Sequence, residues 1–170
     1  MRPLSDLQSY VLQSLQADDY FFGALSIPVL SELKSDFVAQ LELKLMKGLG
    51  IAVIVSTPAV RGGERPDQLI ASVIVQIAEN PVLNQAARGT GKAAMDVAFR
   101  VYAILRELEP EGWSKLFLPQ GNFLELLTAD KGLLVYQVAM DTMTHLIEVE
   151  PVASVPQPEF FSDGVSRVVG

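Results

Sequence analysis

The sequence predicts an α/β (α+β) domain, with a mixed, largely antiparallel sheet of about four to five strands flanked by two or three helices. Three observations carry that expectation. Stretches with apolar residues three and four apart alternate with short β-branched runs, glycine, proline and asparagine punctuate the boundaries, and two boundaries read as hairpins. With 170 residues, 49% of them hydrophobic, and no cysteine, the chain is long enough to hold one core by packing alone.

The elements follow in order. Leu4, Leu7, Val11 and Leu15 share a helical face, and Ser5 with Gln8 has capping-box spacing, so a first helix is expected over Leu4–Ala17, ending before Asp18-Asp19. Tyr20-Phe21-Phe22-Gly23 leads into a short strand, Ala24–Leu30, whose Pro28 suits a sheet edge because it cannot donate to a ladder. A second helix starts at Ser35-Asp36, with Phe37, Val38, Leu41, Leu45 and Met46 on its apolar side and Gln40, Lys44 and Lys47 opposite, until Gly48 and Gly50 stop it.

Ile51–Thr57, bounded by Pro58, has the continuous β-branched pattern of a strand buried on both faces. The charged, glycine-rich turn Arg61-Gly62-Gly63-Glu64-Arg65-Pro66 joins it to Leu69–Glu79, so the pair reads as a long hairpin. Asn80-Pro81 breaks the second strand, and after an irregular stretch Gly89-Thr90-Gly91 opens the longest helix, roughly Lys92–Leu108. Ala94, Val97, Ala98, Val101, Ile104, Leu105 and Leu108 form its broad apolar face, which Met95, Phe99 and Tyr102 widen. Lys92, Asp96, Arg100 and Glu107 leave a narrow polar strip, with Asp96 and Arg100 at pairing distance. Such a helix needs cover from a sheet and from a second body, either helix one or a neighbouring subunit.

Beyond Pro110-Glu111-Gly112-Trp113 come two short strand candidates, Lys115–Leu118 and Phe123–Leu127. Asp130-Lys131-Gly132 is a hairpin signal, and Leu133–Ile147 alternates as a half-exposed strand should, Leu134, Tyr136, Val138 and Met140 facing one way and Gln137, Asp141 and His145 the other. The domain therefore spans residues 1–149. From residue 150 to 170 the chain turns proline-rich, with Pro151, Pro156 and Pro158, and reads as an extended C-terminal arm.

Composition and motifs narrow the function. A net charge of −7 argues against electrostatic capture of nucleic acid, since phosphate binding draws on Lys and Arg. The apolar stretches fall well short of the roughly 20 residues needed to cross a bilayer, and the N-terminus lacks a signal-peptide pattern, which points to manufacture in a host cytoplasm. Gly89-Thr90-Gly91-Lys92 resembles a phosphate loop but has Ala86 where that pattern needs glycine and Ala93 where it needs Ser or Thr, so a nucleotide-binding protein stays a distant alternative. The single histidine, His145, gives a thin basis for metal or acid–base chemistry, and Glu107, Glu109 and Glu111 have the spacing of a solvated acidic turn. No serine stands in a nucleophile elbow. The chain is therefore expected to be no enzyme and to need no cofactor.

What remains is assembly. A hydrophobic fraction of 49% against 19% charged residues leaves more apolar surface than a lone subunit of this size usually shows. Candidate contacts are Arg61, Gly62, Gly63, Glu64 and Arg65, which form either an ordinary exposed turn or a tip that reaches an adjoining protein. Met95, Phe99 and Tyr102 on the long helix are further candidates, as are Pro158, Phe160 and Phe161 in the arm, where adjacent aromatics favour docking on a neighbour.

The order of elements resembles the tail terminator proteins of bacteriophages, with which tail-completion (minor tail) proteins belong. The resemblance is carried by Val73-Ile74-Val75-Gln76-Ile77-Ala78-Glu79-Asn80-Pro81, by the helix Ala94–Leu108 with its Val97-Ala98 and Leu105, and by the final strand Val135–Thr144. It covers most of the chain as a pattern of elements; the arm after Glu150 has no counterpart in the pattern, and the family brings no catalytic residues. The resemblance implies a tail-terminator-like fold and a homohexameric ring in the virion tail or neck. That ring would cap the tail tube protein, with the sheath protein beside it in a contractile tail, and would offer a joining surface to a head-completion or neck protein. DNA would pass through the hole without sequence-specific binding, for which an acidic protein suits. A head-completion adaptor of the same neck is the alternative.

Overall fold

The computed structural model describes residues 4–22, 26–86, 92–130 and 132–146. The elements are α1 (Leu4–Gln16), α2 (Asp19–Phe22), β1 (Val29–Ser31), α3 (Phe37–Met46), β2 (Ile51–Val55), β3 (Ala59–Gly62), β4 (Gln68–Glu79), α4 (Pro81–Ala86), α5 (Ala94–Leu105), β5 (Leu124–Asp130) and β6 (Leu133–His145). One mixed sheet has the strand order β1-β2-β4-β6-β5, with β3 also paired to β4. Every pairing is antiparallel except β1 with β2. The six strands exceed the four to five expected, because the strand before the first hairpin is split in two.

The split lies at Ser56–Pro58. β2 pairs with the second half of β4, Val55 opposite Val75, and β3 pairs with its first half, Gly62 opposite Leu69. Pro58 has no N–H to give a ladder, so one long strand becomes two around it. Arg61 and Gly62 are therefore strand residues, and the turn proper is shorter than the sequence suggests. It closes where the Gly63 N–H donates to the Gln68 carbonyl and the Gln68 N–H to that of Arg65.

β4 and β6 are the long central pair, in register from Gln68 opposite His145 to Glu79 opposite Leu134. The β5–β6 hairpin turns at Gly132, whose φ of 77° only glycine adopts without strain. Of the other strand candidate, Lys115–Leu118, only a single bridge from Phe117 to Asp141 forms. Next to it the Ser114 and Thr142 hydroxyls bond to backbone in place of a regular ladder.

The main core lies between one sheet face and helices α1 and α5. Val53, Val55, Val73, Val75, Ile77, Val138 and Met140 point into it and meet Leu7, Val11 and Leu15 of α1 and Ala94, Val97, Ala98, Val101 and Leu105 of α5. These positions follow the 3.6-residue period of the helices and the two-residue period of the strands. Two glutamines tie α1 down: Gln8 donates to the Val55 carbonyl at 3.0 Å and Gln16 to that of Val29 at 3.0 Å. The capping-box reading is thus corrected, because the helix begins at Leu4, ahead of Ser5, and Gln8 is buried against the sheet.

The opposite sheet face is covered differently. α3 packs on β1 and β2, where Leu45 meets Ala52, Ile54 and Ala78, with Phe37, Leu41, Leu133 and Val135 around them. Val38 and Met46, expected on the packed side of α3, are 74% and 56% exposed. Val38 stands at the margin of the stripe formed by Phe37, Leu41 and Leu45, and Met46 lies nearly opposite it, so neither reaches the sheet. Away from α3, Ile70, Ile74, Ala139 and Met143 on this face remain half-buried.

α5 begins where Glu79 places its carboxylate. One Glu79 oxygen accepts the Ala94 N–H at 3.3 Å and the other accepts the Asn84 side-chain amide, so a strand-end acid serves the helix N-terminus that Ala93 cannot cap. The stretch expected to be irregular after Asn80 holds the short helix α4, which the Asn80 side chain caps by accepting the Val82 and Leu83 N–H groups.

Candidate functional site

Two surfaces collect the residues that the sequence singles out. The first lies at the base of the β3–β4 hairpin, on the less covered sheet face. Arg61, Ser72 and Asp141 point the same way from the three adjacent strands β3, β4 and β6. Asp141 is 1% exposed; its two carboxylate oxygens accept the Ser72 hydroxyl at 2.7 Å and the Arg61 guanidinium at 2.6 Å. Asp141 was expected on the water side of a half-exposed strand. The face is as expected, but the exposure is corrected, since the Arg61 guanidinium and the Ser72 hydroxyl sit on its two carboxylate oxygens.

Beside this triad a groove of about 490 Å³ opens. Gly62, Gly63 and Glu64 form one wall, Phe117 and Gln120 the other, and Ile70 and Met143 the apolar floor. Arg61, half-exposed, stands between the buried acid and the groove. Four of the five hairpin residues named from sequence thus line one concavity. Arg65 is exposed in the turn alongside.

The second surface is the outside of α5 with α1 and α2. Met95 and Phe99, one helical turn apart, are 40% and 53% exposed. Tyr102 differs from them, being half-buried with its ring 4.9 Å from that of Phe123. Arg100 does not pair with Asp96 as its spacing suggested. It grips Asp18 at the end of α1 with two bonds, at 3.1 and 2.6 Å, which ties α1 to α5. Burial pushes the Asp18 carboxyl up, but the Arg100 bonds, the Tyr20 N–H and the charges of Arg100 and Lys92 outweigh it and hold the group below its ordinary range.

Three of the other chemical candidates have partners within the chain. The Lys92 ammonium donates to the Tyr20 carbonyl at 2.9 Å and sits 3.2 Å from the centre of the Tyr20 ring, which gives the lysine a structural use. Gly89, Thr90 and Gly91 lie outside the described residues. His145 is exposed and 3.3 Å from Asp67, across the mouth of the hairpin. Glu107 is bridged by Arg106 at 2.9 Å and Lys115 at 3.0 Å, both exposed, and these cations hold its carboxyl below the usual range. Among the described residues no group of His, Asp and Glu could hold a metal ion, and no helix is long and apolar enough to cross a membrane. Pro158, Phe160 and Phe161 lie outside the described residues.

Sequence reading missed the Arg61–Ser72–Asp141 triad, whose members stand up to 80 positions apart and meet only through strand register. It also missed Phe22 and Val82, 78% and 75% exposed. Both sit in or beside short helices that hydrophobic periodicity is too short a ruler to detect.

No protein-family model matches the sequence, and no curated protein does. Among solved structures the fold is similar to that of a chain in the virion of a native gene transfer agent particle. The TM-score is 0.52 and the identity 13%, and the match covers 82% of this chain and 94% of that one.

Proposed function

We propose that the chain is a structural virion protein, the tail terminator of a phage-like particle. Its copies close into a ring, with six subunits as the resemblance implies, that caps the tail tube and presents a joining surface to the neck. The observation that carries the reading is the fold's likeness to a chain of a gene transfer agent virion, across nearly the whole of that chain. Two further features fit it. Large apolar side chains remain in water on several sides, among them Phe22, Val38, Val82 and Phe99, as expected of a subunit whose neighbours are absent. The net charge of −7 gives a ring that DNA can traverse without being gripped.

The mechanism under this reading is closure and contact. Head-to-tail association buries the exposed apolar groups of α5 and α3, residues 151–170 clasp an adjoining copy, and the hairpin reaches a neighbouring protein. The test is the mass of the purified protein in solution by light scattering, combined with peptide mass analysis of purified particles. A multiple of the subunit mass and peptides in the tail or neck fraction are expected. A strict monomer absent from particles would sink the reading.

A further inference from the structure

We infer that the groove beside the β3–β4 turn is the receptor for the segment Pro158–Asp163 of an adjoining copy, with Phe160 and Phe161 seated on its apolar floor. The choice of donor rests on the ring reading; the choice of receptor does not.

The first argument is chemical fit. The floor is Ile70 and Met143 with the ring of Phe117, 41% exposed, at the side. Gly62 narrows nothing, since a side chain placed there would meet no atom within 4 Å. An open, apolar floor of this size suits aromatic rings, which bury a large area at low entropic cost. The segment brings two adjacent aromatics flanked by acids, Glu159-Phe160-Phe161-Ser162-Asp163. The groove meets those acids with Arg61, whose guanidinium is anchored on Asp141 and still half-exposed, and with Arg65 in the exposed turn beside it. Arginine held in place by one carboxylate keeps further donors for a second, which favours an acidic ligand over a basic one.

The second argument is where the described chain ends. The Leu146 N–H donates to the Asp67 carbonyl at 2.6 Å, so the chain leaves β6 beside the turn of the same hairpin. Phe160 follows 14 residues later, a span of about 45 Å when extended. Pro151, Pro156 and Pro158 in that interval disfavour a tight reversal onto the groove beside the exit. A compact domain of this length is about 40 Å across. The spacer is therefore long enough, when extended, to reach the equivalent groove on the next subunit.

Two measurements test the assignment on the full-length chain. With a photo-crosslinking residue in place of Phe161, crosslinks are expected to the peptide holding Phe117, Gln120 or Met143, and in a mixture of isotopically heavy and light chains a large share should join heavy to light. Crosslinks elsewhere, or none, would overturn the receptor; crosslinks confined to one chain would overturn the donor. Separately, the double variant Phe160→Ala/Phe161→Ala should bind a synthetic peptide of residues 156–164 and lose at least tenfold in affinity when Phe117→Glu is added. Equal affinity with and without that change would sink the groove. Because peptide binding does not depend on subunit number, a monomeric chain that still binds it would reject the ring and keep the receptor, while a ring that ignores the peptide and gives no groove crosslink would do the reverse.

Discussion

The two faces of the sheet are built from the same strands and serve different ends. Behind β4 and β6, the face toward α1 and α5 is closed, with Val73, Val75, Val138 and Met140 at most 1% exposed. On the opposite face α3 covers β1 and β2, and the hairpin end is left with half-buried Ile70 and Met143, an ion pair of which only the acid is buried, and a groove. The closed face concentrates the apolar burial that stabilises the subunit. The open face leaves apolar and charged side chains in contact with water.

If that division holds, substitutions on the two faces should differ in kind. Leu105→Ala, fully buried in the core of the closed face, should cost about 2–5 kcal/mol through lost burial and the cavity left behind. Urea unfolding would check it, and a loss well under 1 kcal/mol would show that α5 is not the main cover. The ion pair on the open face should matter less and asymmetrically. Arg61→Met leaves the Asp141 charge buried with only the Ser72 hydroxyl, at a cost of about 1–3 kcal/mol. Asp141→Asn leaves Arg61 free to turn into water and should cost less. The reverse order in thermal or urea unfolding would mean that Arg61 does not compensate the buried acid.

A smaller effect separates the faces by pH. The Asp18 carboxyl, drawn down by Arg100 beside the closed face, has a folded pKa below its unfolded value of about 3.9. Its contribution is therefore fully present above that unfolded value and is lost as pH falls through the folded one. The stability gap between the native sequence and Arg100→Ala should thus be constant near neutrality and shrink below about pH 4. A gap that widens on acidification would contradict the pairing. Smallest of all, Phe99→Lys on the outer side of α5 should change subunit stability by no more than about 0.5 kcal/mol, yet yield a lighter species by light scattering if that side is a contact. An unchanged mass would remove α5 from the interface.

The same contrast explains what could be read from sequence. The closed face was legible because its residues obey local periods: Leu7, Val11 and Leu15 in α1, and Val97, Val101 and Leu105 in α5, stand at helical spacing, while Val73, Val75 and Ile77 alternate. The long β4–β6 strands and the Gly132 turn followed from equally local signals. The open face depends on register. Nothing in the neighbourhood of Asp141 announces that Arg61 will reach it across β4, and the spacing of Asp96 and Arg100 pointed to a pair that Asp18 breaks by arriving from the α1–α2 junction. Gln8 misled for the same reason, because its use lies 47 positions away at Val55. The hairpin residues Arg61, Gly62, Gly63 and Glu64 stand together because a hairpin is a local object, but the groove they border needed Phe117 and Met143 from the far end of the chain.

The pairing of β4 with β6 also sets an order of events during synthesis. By the time Glu79 has left the ribosome, the strands on one flank of β4 have been made, while the strand that will cover its other flank begins only at Leu133. For more than fifty residues of elongation β4 keeps a bare, β-branched edge, the kind of surface that pairs with any extended chain nearby. The chain thus spends its synthesis with an adhesive seam of its own, and crowding many nascent copies together would endanger it most before β6 arrives.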